Sequence, residues 1–245
     1  MKASPHQQKE LLRLQALDIK VVQVTHQMTA LPQHSELTLL QREADSIRAK
    51  MTTEGGALDD VRTELGRIES DVSVVEKRIA RDTERAQHTS SIKEVQAYEA
   101  ELTALRKRLF DLEEIEIAVM ERLEQHEASV AVVVAEREAL AERVSATEKV
   151  RDESLEDLNR QLGELKRDRV TVATSIEEEL VALYEKRRVT GRGNAAALLR
   201  ARTCSGCTMT LTGNDLAEVR QAAADEVLFC PDCGAILVRT DESGI

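Results

Sequence analysis

The chain of 245 residues carries 34 basic and 45 acidic side chains, a formal net charge of −11, and about half of it is Ala, Leu, Glu, Lys or Arg. With no Trp, two Tyr and two Phe it lacks the rings that usually dominate a compact interior, and ten Gly with three Pro leave few turns. A sandwich, a barrel and most α/β enzymes are excluded; a coiled coil or long helix is expected.

The first residues, Met1-Lys2-Ala3-Ser4-Pro5-His6-Gln7, are polar where a secretory leader needs an apolar stretch. No apolar run approaches the ~18–20 residues of a membrane span, so a cytoplasmic protein without membrane association is expected. From there apolar residues alternate the three- and four-residue steps that keep one stripe on one helix face. Leu17, Val21, Val24, Met28 and Leu31 form the first run. Pro32 removes a backbone donor and should kink or break the helix, leaving a segment over about 7–31. Gly55-Gly56 costs roughly 1 kcal/mol per glycine relative to Ala, so a second bend or hinge is expected there. The next run is Leu58, Val61, Leu65, Ile68, Val72, Val75 and Ile79.

The polar cluster Gln87-His88-Thr89-Ser90-Ser91 interrupts the seam, and Ser91 with Glu94 has capping-box spacing. Beyond it the stripe resumes in Leu102, Leu105, Leu109 and Leu112, in Leu155, Leu158, Leu162 and Leu165, and in Val172, Ile176, Leu180 and Leu183. One apolar seam on each side of a turn near 86–91 folds most simply as an antiparallel hairpin. The alternative is a parallel pairing of two chains. With the turn centred near 88, residue i faces about 176−i, and the last turns of the second arm, taken as one helix over 91–187, overhang the N-terminus. The apolar stretch 128–135 should pack against the kinked N-terminal segment.

All four cysteines lie in the last fifth of the chain, as Cys204-x-x-Cys207 and Cys230-x-x-Cys233. Each pair points two thiolates at one centre, and two pairs complete the tetrahedral sulfur shell of a structural Zn²⁺ site. Gly206, Gly234 and Pro231 suit the tight turns, and short apolar runs at 195–201, 227–229 and 235–238 read as the strands of a zinc ribbon. So small a domain cannot hold itself together by apolar burial; one structural zinc supplies the missing folding energy. Four thiolates leave no open position for catalysis, so no enzymatic activity is expected, and thiol exchange at a C-x-x-C is the weaker alternative. The fold class is therefore mainly α, with a long antiparallel coiled-coil hairpin over 1–188 and a small C-terminal β zinc ribbon over 189–245.

Thr203-Cys204-Ser205-Gly206-Cys207, Phe229-Cys230-Pro231-Asp232-Cys233-Gly234-Ala235-Ile236-Leu237 and the segment Ser91-Ile92-Lys93-Glu94-Val95-Gln96-Ala97-Tyr98-Glu99-Ala100-Glu101-Leu102 together resemble the bacterial C4-type zinc-ribbon coiled-coil family over essentially the whole chain. Ala235 departs from the basic residue usual in its C-P-x-C-G-R-I-L pattern, and the composition is similar to that of actinobacterial members. The resemblance implies a helical hairpin with a terminal ribbon. It also implies a non-enzymatic role, as an adaptor or chaperone-like protein linked to flagellar or secretion assembly and to RNA or transcription-factor binding.

Two surfaces are candidates for such partners. Residues 186–202 hold Lys186, Arg187, Arg188, Arg192, Arg200 and Arg202 with no acid, a strap able to meet the phosphates of RNA or DNA. At the hairpin tip Arg81, Arg85, His88 and Lys93 offer a docking site for a protein partner. His6, His26, His34 and His126 have no metal-ligand spacing, and no small-molecule substrate is expected.

Overall fold

The computed structural model describes residues 1–191 and 194–245. Two compact units result, Met1–His34 together with Lys149–Ile245, and Ser35–Glu148. In the first of these units the first helix and the end of the second arm share a core with the ribbon.

Helix α1 spans Pro5–Thr29, α2 Pro32–His88 and α3 Ile92–Thr174. Pro32 opens α2 at its first helical position, where a missing N–H costs nothing, so the expected break falls in front of it. In the unit Ser35–Glu148, α2 and α3 run antiparallel within one chain. Arg62 meets Glu127 at 3.1 Å, Lys50 meets Glu136 at 3.1 Å, Arg122 meets Glu64 at 2.7 Å and Arg143 meets Glu43 at 2.9 Å. Each exposed pair contributes only about 0–1 kcal/mol, but together they report the register. Lys50 faces 136 rather than 126, so the arms are offset by about ten residues from the expected pairing; the loop itself lies at 89–91 rather than at 88. At the tip the Thr89 hydroxyl, not Ser91, engages the Glu94 carboxylate and accepts from the Ser91 N–H at 3.3 Å.

Apolar burial holds this unit. Leu40, Ile47, Val133 and Leu140 form one cluster with Leu37, Ala44, Met51 and Val144 against it. The 128–135 stretch thus packs on α2, beyond the Pro32 break, rather than on the segment before it. Helix α2 continues through Gly55-Gly56 without interruption, and a Cβ at either position meets nothing within 4 Å. Zipping against α3 outweighs the propensity cost. Gly55→Ala and Gly56→Ala are each expected to stabilise the chain by ~1 kcal/mol, read as a higher thermal midpoint by circular dichroism.

In the other unit the second arm is not one helix. It breaks after Thr174 and resumes as α4, Glu178–Thr190. The Thr174 and Ser175 hydroxyls donate to the carbonyls of Thr171 (2.9 Å) and Val172 (2.7 Å), and the Ser175 and Ile176 N–H groups close three-residue turns onto Val172 and Ala173. Such side-chain bonds offer the backbone an alternative to the helix ladder. The chain turns sharply here: Arg169 and Glu185 form an ion pair, although sixteen residues of straight helix would part them by about 24 Å. There is no overhang; α4 folds back beside α1 and the end of α3.

The ribbon is a four-stranded sheet in the order β2-β1-β4-β3, with β1 Ala196–Arg200, β2 Thr203–Cys204, β3 Leu228–Phe229 and β4 Ile236–Val238. The β1–β4 pair is parallel, the others antiparallel. Alternation along the strands splits the side chains between two cores. Ala196, Val227 and Ile236 face Leu11, Leu14, Val172, Ile176, Leu180 and Tyr184 of the helices. Ala197, Leu199, Leu228 and Leu237 face the cysteines and α5, Gly213–Gln221, through Leu216 and Val219. Helix α5 was not evident from the periodicity. Its C-terminus is capped from outside by Arg239, whose guanidinium donates to the carbonyls of Val219 (3.1 Å) and Ala222 (2.8 Å).

Candidate metal centre

The two knuckles are built alike. The first cysteine of each, Cys204 or Cys230, donates its N–H to the carbonyl five residues on, Met209 or Ala235, each at 2.9 Å. Its own carbonyl accepts from the N–H four residues on, Thr208 (2.8 Å) or Gly234 (2.9 Å). Closing so tight a turn requires a left-handed residue, supplied by Gly234 at φ 71° in one knuckle and by Thr208 at φ 63° in the other. Gly206 serves by its size instead, since a Cβ there would meet the Ala197 Cβ at 3.2 Å.

These turns bring the four thiols within 4.8 Å of one another. Cys204 and Cys233 Sγ lie 3.9 Å apart and Cys207 and Cys230 Sγ 3.7 Å. Both are far too long for a disulfide and straddle the ~3.8 Å edge of a tetrahedron with Zn–S bonds of ~2.3 Å. The donor chemistry fits as well. Partial burial pushes the Cys233 thiol up to about 12 and burial raises Cys204, so a cation beside them favours their ionised form. Cys207, whose sulfur accepts from the Met209 N–H, is lowered. The closed sulfur set binds one structural zinc ion through Cys204, Cys207, Cys230 and Cys233. It supplies folding energy and presents no open coordination position.

A helical hairpin whose far arm leads into this four-cysteine ribbon matches known proteins over its whole length. The CT398-like coiled coil hairpin domain matches residues 14–192, and the C4-type zinc ribbon domain matches 203–237. The chain belongs to this hairpin family. A protein of Mycobacterium tuberculosis, Rv2229c, is 32% identical over 244 residues, covering 98% of both chains. A solved structure from Mycobacterium smegmatis superposes with a TM-score of 0.86 at 30% identity, covering 98% of this chain and 100% of that one. The CT398 structure of Chlamydia trachomatis has the same fold at a TM-score of 0.65 and 21% identity, covering 96% of this chain and 98% of its own.

Most of the described cations of the basic strap meet groups of the same chain, several of them at the surface. Arg188 Nε pairs with Glu185 at 2.8 Å and approaches Asp18 at 3.8 Å; Arg200 pairs with Glu242 at 3.1 Å. Arg202 occupies a left-handed turn position (φ 65°) and reaches the Gly244 carbonyl, and Arg187 stacks over Phe229. Lys186 is exposed, and Arg192 lies outside the described residues. At the tip Arg81 pairs with the buried Asp82 at 3.2 Å, whereas Arg85, His88 and Lys93 are exposed, as is Ile92 at 78%.

The dock that holds the ribbon escaped the sequence reading. Gln15 Oε1 accepts from the N–H groups of Ala195 (2.8 Å) and Ala196 (3.2 Å) at the start of β1, and Gln8 Nε2 donates to the carbonyls of Ala3 (2.9 Å) and Ala224 (3.3 Å). The Ala3 N–H donates to Asp225 and the Val227 N–H to Met1, tying the N-terminus to the strand entering the second knuckle. Behind Gln15, Asp18 accepts from Arg169 Nε at 2.6 Å and from the Tyr184 hydroxyl at 2.7 Å. The signal was present: Gln8, Leu11, Gln15 and Asp18 keep the 3-4-3 step, so the polar members stand at seam positions.

Proposed function

We propose that this chain is a non-enzymatic zinc-ribbon adaptor of the cytoplasm, engaging a protein partner through the hairpin tip. The observation that carries this reading is the tip itself, where Ile92 has most of its surface in water and Arg85, His88 and Lys93, close by in the chain, are exposed with no core role. An exposed apolar residue with Arg85 and Lys93 close by in the chain suits an acidic, apolar-studded protein surface. The closed sulfur shell supports a role without chemistry, and no helix among the described residues is long and apolar enough to cross a membrane. Nucleic acid is the weaker reading, because Arg187, Arg188, Arg200 and Arg202 are held by groups of the same chain.

The test uses the full zinc-loaded chain with Ile92→Glu and Lys93→Glu at the tip. In crosslinking and mass spectrometry from the native cell, the variant should lose protein crosslinks that the parent forms while keeping its helicity. Titration with RNA and DNA at about 50 mM salt, where phosphate contacts are strongest, should show no binding. Tight binding there that Lys186→Glu weakens, with protein crosslinks unchanged at the tip, transfers the function to nucleic acid.

A further inference from the structure

Arg187 sits in the last turn of α4, yet its side chain belongs to the ribbon. The guanidinium lies over the Phe229 ring, 4.4 Å from the centroid. On the other side its Nη1 stands 3.4 Å from where a Cβ of Gly234 would be. Phe229 and Gly234 immediately precede and follow the knuckle 230–233, so one cation spans the entry and exit of the second cysteine turn. Its Nε is buried without a hydrogen-bond partner. A guanidinium in that position needs compensating negative charge. Among the described residues no carboxylate pairs with it; Glu185 and Asp18 are taken by Arg169 and Arg188.

The negative charge is in the knuckles. Four thiolates around one divalent zinc would leave the cluster a dianion, and Arg187 lies against the residues on either side of its second knuckle. Among the described residues of the ribbon, Arg200 pairs with Glu242, Arg202 reaches the Gly244 carbonyl and Arg239 donates to the α5 carbonyls. We propose that Arg187 is the counter-cation of the zinc–thiolate cluster, a positioning residue held over the second knuckle by Phe229 that offsets the cluster's charge and slows loss of the metal. A guanidinium suits this role because it is always charged and stacks on an aromatic face, and the missing Cβ of Gly234 leaves it room. Because it is delivered by α4, zinc retention in the ribbon depends on the helix that turns back at 175–177.

Zinc transfer from the loaded full-length chain to a chromophoric chelator tests the proposal. Arg187→Gln, which keeps polarity and much of the volume, should release zinc about ten-fold faster, the scale of a lost outer partner of a metal site. Arg187→Lys, which keeps the charge, should fall between the two. Raising the salt concentration should speed release from the parent chain and narrow its gap to Arg187→Gln, since screening weakens a charge effect and not a packing one. Equal release rates for the parent and Arg187→Gln overturn the proposal. So does an Arg187→Lys rate equal to that of Arg187→Gln, or a gap unmoved by salt. Should Arg187→Gln fail to fold, the lysine variant and the salt series of the parent decide alone.

Discussion

Stripping the zinc with a strong chelator is expected to unfold residues 195–245 while the hairpin unit Ser35–Glu148 keeps its helices. The ribbon's own core is small. Its buried members on the cysteine face are Ala197, Leu199, Leu211, Leu216, Val219, Leu228, Ala235 and Leu237, with Cys204 and Cys230 buried among them. Two of its strands are two residues long and one is three. A structural zinc contributes an apparent ~10–16 kcal/mol, more than the whole net stability of ~5–15 kcal/mol typical of a domain. In amide-resolved NMR, signals from β1, β4 and α5 should collapse toward random-coil positions on chelation and return on adding zinc. Those from 40–140 should stay in place. Thiol reagent should titrate four cysteines after chelation and none before. Acid should act in the same direction, because protons compete with zinc for the sulfurs. A ribbon whose signals persist without metal would show that apolar burial alone suffices, against the size of its core.

What the sequence disclosed and what it hid follow from range. The seams were legible because a heptad step reports which face is buried wherever the helix packs, and Leu58, Val61, Leu102, Leu105 and Leu112 are buried as that step requires. The cysteine spacing was legible because two thiolates three residues apart can meet one ion with no knowledge of the rest. The fate of the basic strap was not. Whether Arg188 meets a phosphate or Glu185 and Asp18 depends on a turn at 175–177 that brings 169 beside 185, and nothing in a run of cations announces its partners. That turn rests on two hydroxyls in a stretch whose apolar step, Val172, Ile176, Leu180, continues across the break. Helix α5 had a local signal in Gly213-Asn214-Asp215 followed by Leu216 and Val219, but nine residues make a weak one.

The polar cluster beneath the ribbon yields the second large effect. Asp18→Ala is expected to destabilise the unit Met1–His34 with Lys149–Ile245 by about 3–5 kcal/mol, the usual cost of breaking a buried pair from one side. Asp18 is 7% exposed, and its carboxylate accepts from Arg169 Nε (2.6 Å), Arg169 Nη2 (3.2 Å) and the Tyr184 hydroxyl (2.7 Å). Its removal leaves Arg169 with Glu185 alone and leaves the phenol of the fully buried Tyr184 only the longer bond to Gln15 Oε1 at 3.4 Å. Tyr184→Phe removes one hydrogen bond while Gln15 keeps its two strand N–H donors, so about 1 kcal/mol is expected. Glu185 adds a pH signature. Burial alone would raise its carboxyl, but Arg169 and Arg188 outweigh that and hold it below the ordinary value. A carboxyl depressed by folding contributes stability that is complete above its unfolded pKa of ~4.3 and fades as pH falls through the folded one. The urea midpoint of the parent should therefore exceed that of Glu185→Gln near neutral pH, and the gap should narrow below about pH 4, apart from the zinc loss common to both. An Asp18→Ala chain as stable as the parent would mean that Arg169 and Tyr184 do not depend on the carboxylate they surround, and the ribbon would then be held to α1 by its apolar contacts and Gln15 alone.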